Sequence, residues 1–142
     1  MNPFFKISLL IVFVLAQAGV LTGIYMYNRQ HTDLQGSEPD FIVTAAELSK
    51  EFEGDENAAN SRYLNKVIEV SGTVGTVRTG DGNITSITLE TGNPMSAVIC
   101  TFSSSTKPSE FEQGKEITVR GECSGFLMDV LLNNCIVVRG HE

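Results

Sequence analysis

Three cysteines, Cys100, Cys123 and Cys135, and two histidines, His31 and His141, are the most reactive side chains of this 142-residue chain. A redox dithiol needs a stabilised thiolate, through a neighbouring thiol, a cation or an imidazole. The chain has no C-x-x-C pair, and no cysteine has a histidine or a cation next to it. Zinc asks for about four ligands, which three scattered thiols do not supply, so no metal or cofactor is expected. His31 lies in a polar stretch and His141 is the penultimate residue, both positions where histidine is ordinarily solvated. No serine stands with a histidine and an acid in a nucleophile motif. Gly80-Asp81-Gly82 lacks the lysine and the following helix of a phosphate loop. Asp55 and Glu56 read as helix-start charges that complement the helix dipole, not as an acid/base pair. These residues predict no catalytic site and no enzyme.

What the chain does display is a location. Ile7 to Tyr27 is an uninterrupted apolar run, and every acidic residue follows it. At about 1.5 Å per residue a helix over this run spans about 30 Å, the thickness of a bilayer core. Lys6 and the amino terminus precede it, and Tyr25 and Tyr27 suit an aromatic belt at its far end. This predicts a single-pass span with the C-terminal domain on the extracytoplasmic side. The alternative is a secreted domain released by cleavage at Ala16-Gln17-Ala18. The formal net charge is −7. From residue 31 onward 8 Lys+Arg face 17 Asp+Glu, or 8 − 17 = −9. Such a surface repels phosphate backbones, so nucleic acid is not the expected partner.

The elements that must carry any binding site follow. Residues 1–6 form a short flank, 7–27 the span, 28–43 a polar tether and 44–139 one small domain. Thr44 and Glu47 form a capping box, with Val43 and Leu48 as a hydrophobic staple. Ala45, Leu48 and Phe52 share one helical face. Gly54 interrupts, and Asp55 caps a second helical stretch that turns Ala59 and Tyr63 inward. From Lys66 the period becomes two. Ile68, Val70, Gly72 and Val74 begin a long strand whose phase slips at Gly75, as at a bulge. Gly80 to Asn83 is a turn. Ile87 and Leu89 mark a second strand, Val98, Cys100 and Phe102 a third, Ile117, Val119, Gly121 and Cys123 a fourth. Val130 and Leu132 open a fifth, with a slip at Asn133-Asn134 before Cys135 and Val137. Five strands in this order, the first long and bent, predict a β-barrel of the five-stranded OB type. An open antiparallel sheet under the N-terminal helix is the rival.

The segments TAAELSKEFEGDENAANSRYLNKVIEVSGTV, VICTF and GKEITVRGECSGFLMDVLLNNC resemble the tRNA_anti-like family of OB-fold domains. The resemblance covers about residues 44–138. It implies a bacterial envelope domain behind an N-terminal membrane segment or signal, and it brings no catalytic residues. The family name records a remote likeness to anticodon-binding domains and does not itself argue for tRNA.

In an OB topology the fifth strand lies between the third and the fourth, so Cys135 neighbours either other cysteine. In an exported domain a Cys123–Cys135 bridge, closing a loop of about a dozen residues, would contribute roughly 3 kcal/mol. The equal alternative is three buried thiols packed as small apolar groups. OB-folds bind on the face of strands two and three and the adjoining turns, which selects Asp81, Asn83, Phe126 and Asp129 as candidate binding residues. The expected function is a membrane-anchored OB-fold binding module of the cell envelope, with an envelope protein or small ligand as partner. The alternatives are a nucleic-acid-binding OB domain and a thiol-redox enzyme.

Overall fold

A computed structural model describes residues 2–29 and 34–138. His31 and His141 lie outside the described residues. The chain divides into two compact units, residues 1–33 and 34–142.

The first unit is helix α1, Pro3–Arg29. An 18-residue stretch within its residues 3–27 has mean hydropathy 2.3, and the helix has the length to cross a bilayer, which makes it a candidate transmembrane span. Apolar residues occupy all sides of it, as a lipid-facing helix requires.

The second unit is a closed barrel. Strands β2 (Val67–Thr79), β3 (Thr85–Glu90), β4 (Ala97–Phe102), β5 (Glu116–Leu127) and β6 (Asp129–Val137) form it, in the spatial order β2-β3-β4-β6-β5. Pairing of β2 with β5 closes the ring. Closure requires β2 to serve β5 on one edge and β3 on the other, with Thr73 paired to both. Its first half pairs with β5 (Val67↔Glu122 to Thr73↔Glu116) and its second half with β3 (Thr73↔Glu90 to Thr79↔Thr85). The register shift between Val74 and Val77 is the bend that allows this, at the glycine where the alternation slips.

A sixth strand, β1 (Phe41–Thr44), runs parallel to the start of β2. This corrects the boundary of the tether at residue 43: residues 34–43 belong to the barrel unit. Leu34 is buried. The Arg120 guanidinium donates to the carbonyls of Leu34 (2.9 Å) and Ser37 (2.6 Å) while pairing with Glu69 at 2.8 Å. Asp40 exchanges hydrogen bonds with Val67, donating its own N–H (2.8 Å) and accepting through its carboxylate (2.9 Å).

Thr44 ends β1 and starts helix α2 (Ala45–Gly54) through the expected capping box: its hydroxyl accepts from Glu47 N–H and its own N–H donates to the Glu47 carboxylate. Asp55 then caps helix α3 (Glu56–Tyr63) by accepting from Ala58 N–H. The inward faces of both helices, Leu48, Phe52, Ala59 and Tyr63, join the alternate residues of every barrel strand in one core.

All three cysteines lie in that core as thiols. Cys135 is shaped around an absence. A Cβ on Gly121 would stand 2.5 Å from Cys135 Sγ and 3.1 Å from the Asn133 carbonyl oxygen, so the sulfur occupies the space a side chain at 121 would need. Gly121→Ala is therefore expected to cost about 1–3 kcal/mol by overpacking. Cys135→Ala should recover part of that cost in the double variant. Urea unfolding of the four proteins measures it. Additivity within about 0.5 kcal/mol would show that the two positions do not compete for space.

Candidate functional site

Strand directions sort the loops into two groups. The β2–β3 turn, carrying Asp81 and Asn83, lies where β2 ends. The β5–β6 turn lies at the other end, because β5 runs antiparallel to β2. The β3–β4 loop joins the β5–β6 turn there, because β4 and β6 are parallel and start together (Val98↔Val130). Asp81 and Asn83 are exposed at the first end. Phe126 and Asp129 sit at the second. The structure thus does not bring the four candidate residues into one site.

Phe126 and Asp129 are each also engaged within the barrel. Phe126, read as an exposed turn residue, is half-buried at the end of β5 and stacks on Phe52 of α2, with ring centroids 5.5 Å apart. The Asp129 carboxylate accepts the N–H of Ala97 at 2.7 Å and pins the start of β4 to the start of β6.

These two residues instead support a neighbouring cleft of about 440 Å³, lined by Phe52, Glu53, Glu56, Asn93, Met95, Ser96, Phe126 and Met128. The Phe52–Phe126 stack is its floor. Its rim is apolar and exposed: Met95 is 75% exposed and Met128 72%, and Leu127, next to Met128 in the chain, is 77% exposed. These three are the large apolar side chains most exposed in the barrel among the described residues.

The loop that displays Met95 is rigidly held. Glu53 Oε1 accepts hydrogen bonds from Ser49 Oγ (3.0 Å), Asn93 Nδ2 (3.2 Å) and Ser96 Oγ. Inside the loop, Met95 N–H donates to Asn93 Oδ1 (3.0 Å) and Thr91 Oγ1 donates to the Ser96 carbonyl (2.8 Å). Ser96 is buried while its neighbour Met95 is not. The donors from Ser96 and Ser49 hold the Glu53 carboxyl below its usual range.

The sheet face is different in kind. The outward residues of β3 and β4 are Ser86, Thr88, Glu90, Ala97, Ile99 and Thr101, with no aromatic or basic side chain among them. A single-strand platform needs both. Two of the thiols are pushed away from the thiolate form: contact with Cys135, then burial, pushes Cys100 up, and burial pushes Cys123 up.

Glu53, Met95, Ser96 and Met128 escape a reading of the sequence alone. The one local signal is apolar residues inside turns, Met95 after Asn93-Pro94 and Leu127-Met128 between two strands, where polar residues are usual.

A closed five-stranded barrel of the OB type behind a long apolar helix defines the class of this protein. The chain belongs to the tRNA_anti-like family, whose profile matches residues 1–137, the apolar helix included. Among solved structures it is similar to a lipoprotein from Klebsiella pneumoniae to which nucleic-acid binding is ascribed. The TM-score is 0.58 at 21% identity over 68% of this chain and 91% of that one. It is more distantly similar to the S. pombe Stn1–Ten1 complex (TM-score 0.41, 17% identity, 52% of this chain and 59% of that one). A structure of yeast Stn1 and Ten1 gives a TM-score of 0.43 at 14% identity over 77% and 67%. No curated protein matches the chain.

The Glu53 latch generates a prediction. A carboxyl whose pKa is lowered by folding stabilises the folded loop above its unfolded pKa and loses that effect as pH falls through the folded value. Hydrogen exchange at Met95 and Ser96 should quicken relative to the barrel strands once the pH drops below the usual glutamate range, about 4. Glu53→Gln should show the faster exchange already at neutral pH. Equal protection in both proteins at all pH values would mean the carboxylate does not hold the loop.

Proposed function

We propose that this protein is a membrane-anchored OB-type binding module of the bacterial cell envelope. Helix α1 holds it at the bilayer, and the barrel faces the extracytoplasmic side. The barrel binds a partner and performs no chemistry. The observation that carries this reading is the exposed rim of Met95 and Met128 around an aromatic floor. A small soluble surface rarely gathers large apolar side chains at one place without a partner to cover them. The loops beneath them are also fixed in advance by Glu53 and Asp129, which lowers the ordering cost of binding.

A photo-crosslinking residue placed at Met95 of the full chain, in its native membrane, tests the site. A discrete protein adduct is expected there and none from the same residue at Thr88 on the sheet face. Adducts from Thr88 alone would move the site to the strand surface.

A second reading is nucleic-acid binding, favoured by what is ascribed to the Klebsiella lipoprotein. The charge of −9 from residue 31 onward and a β2–β4 face whose single basic side chain is Arg78 weigh against it. Filter binding of single-stranded oligonucleotides at low salt decides it. We expect no retention; salt-sensitive retention would establish the second reading in place of the first.

A further inference from the structure

Two independent features of the cleft between α2, the β3–β4 loop and the β5–β6 turn bear on what fills it. The first is charge. Its lining holds two carboxylates, Glu53 and Glu56, and no lysine or arginine. The Glu53 carboxylate already accepts three hydrogen bonds from the protein, and all three come from neutral groups, so its charge is not cancelled. Glu56 stands in the first turn of α3, beside the cleft. An apolar floor rimmed by two anions, on a domain of net −9, matches a ligand that is apolar and cationic together.

The second feature is Met128. Its φ is 67°, in the left-handed region where a side chain is disfavoured. Among the described residues the other non-glycine positions with positive φ are Asn65, Asn83 and Asn134, all the residue type that tolerates this conformation. Met128 breaks that rule, and its side chain stands in solvent, where it gains no burial in return. A residue held in an unfavourable conformation at an exposed cleft rim points to use by a ligand. A methionine suits that use, because its unbranched, polarisable side chain adapts to whatever apolar surface it meets.

We propose that this cleft takes an amphipathic segment of a protein partner, its apolar side chain seated on the Phe52–Phe126 floor between Met95 and Met128 and its lysine or arginine residues against Glu53 and Glu56. The proposal rests on the reading above that this end of the barrel is the binding surface. A lipid surface fits less well, since anionic headgroups repel the two carboxylates at the rim.

The full chain in nanodiscs of zwitterionic lipid, labelled at its methionine methyl groups, tests this. Met26, within α1, serves as the internal reference. The probes are three peptides of equal length: a leucine–lysine amphipathic helix, the same helix with glutamate for lysine, and a serine–lysine peptide without the apolar face. The leucine–lysine peptide should shift the Met95 and Met128 methyl signals saturably and leave Met26 in place. The other two should not. Its affinity should fall with salt, and about two- to fivefold in Glu56→Gln, the size expected for one exposed ion pair. Met128→Gly should weaken binding without lowering the melting temperature, because glycine relieves the backbone. Equal shifts from the leucine–lysine and leucine–glutamate peptides would overturn the charge assignment and leave the cleft as the binding surface. No shift at Met95 or Met128 with any peptide would overturn the proposal, and crosslinking confined to Thr88 would then remove the reading beneath it. Shifts produced by anionic nanodiscs without peptide would overturn the proposal in favour of a lipid surface.

Discussion

Barrel closure depends on one strand meeting two obligations. Strand β2 must pair along one edge with β5 over Val67–Thr73 and along the other with β3 from Thr73 onward, so it must bend partway along its length. The irregularity between Val74 and Val77 is where it turns. Without it the sheet would remain open, with two edges free to pair with other chains. Closure in turn fixes the ends of the other strands. It sends the β2–β3 turn to one end of the barrel and places the β3–β4 loop beside the β5–β6 turn at the other. The aromatic floor, its rim and its latch exist only because that second pair of loops meets α2.

At that end, two demands on the same residues conflict. Solubility favours polar turns, yet the tips carry Met95, Leu127 and Met128. Stability favours asparagine or glycine at a left-handed position, yet residue 128 is methionine. Meanwhile the adjacent polar groups are satisfied: Asn93, Ser96, Ser49 and Ala97 N–H all find partners in Glu53 or Asp129. The backbone is thus ordered and the apolar side chains are left out. Local consistency fails at the tips and holds immediately behind them. That pattern is expected of a site shaped by binding, where order beneath the contact lowers the entropy lost when a partner arrives.

Much of the fold was legible because it rests on local periodicity. Alternation in Ile68-x-Val70 and Val98-x-Cys100-x-Phe102, the glycine slip at residue 75, and the capping box at Thr44 and Glu47 are all written within a few residues of one another. The slip at Asn133-Asn134 is the same kind of signal, and the left-handed Asn134 and the shifts between β5 and β6 realise it. Strand β1 was not legible. It has four residues, and its partner lies 27 residues onward in parallel (Phe41↔Ile68), so no hairpin turn announces it. The candidate site was legible least. That Phe126 rests on Phe52 and that Asp129 reaches Ala97 are facts of long-range packing, invisible to a periodic reading that saw one as a turn aromatic and the other as a turn acid.

The cysteines show how a residue type can mislead about chemistry. Three thiols in a small domain suggest a staple or a redox pair. Yet contact with Cys135 and then burial resist the thiolate at Cys100, burial resists it at Cys123, and Cys135 Sγ fills the notch that Gly121 leaves open. A side chain larger than cysteine at 135 would press on the β5 backbone, and a smaller one would leave a void beside Leu132. Cysteine's volume, intermediate between alanine and valine, accounts for its presence there without invoking its reactivity. The same reasoning separates the two ends of the barrel's chemistry. In the core, residues are explained by the space they fill; at the α2 cleft, Met95 and Met128 fill no space in the protein itself, and only something outside the chain can complete their packing.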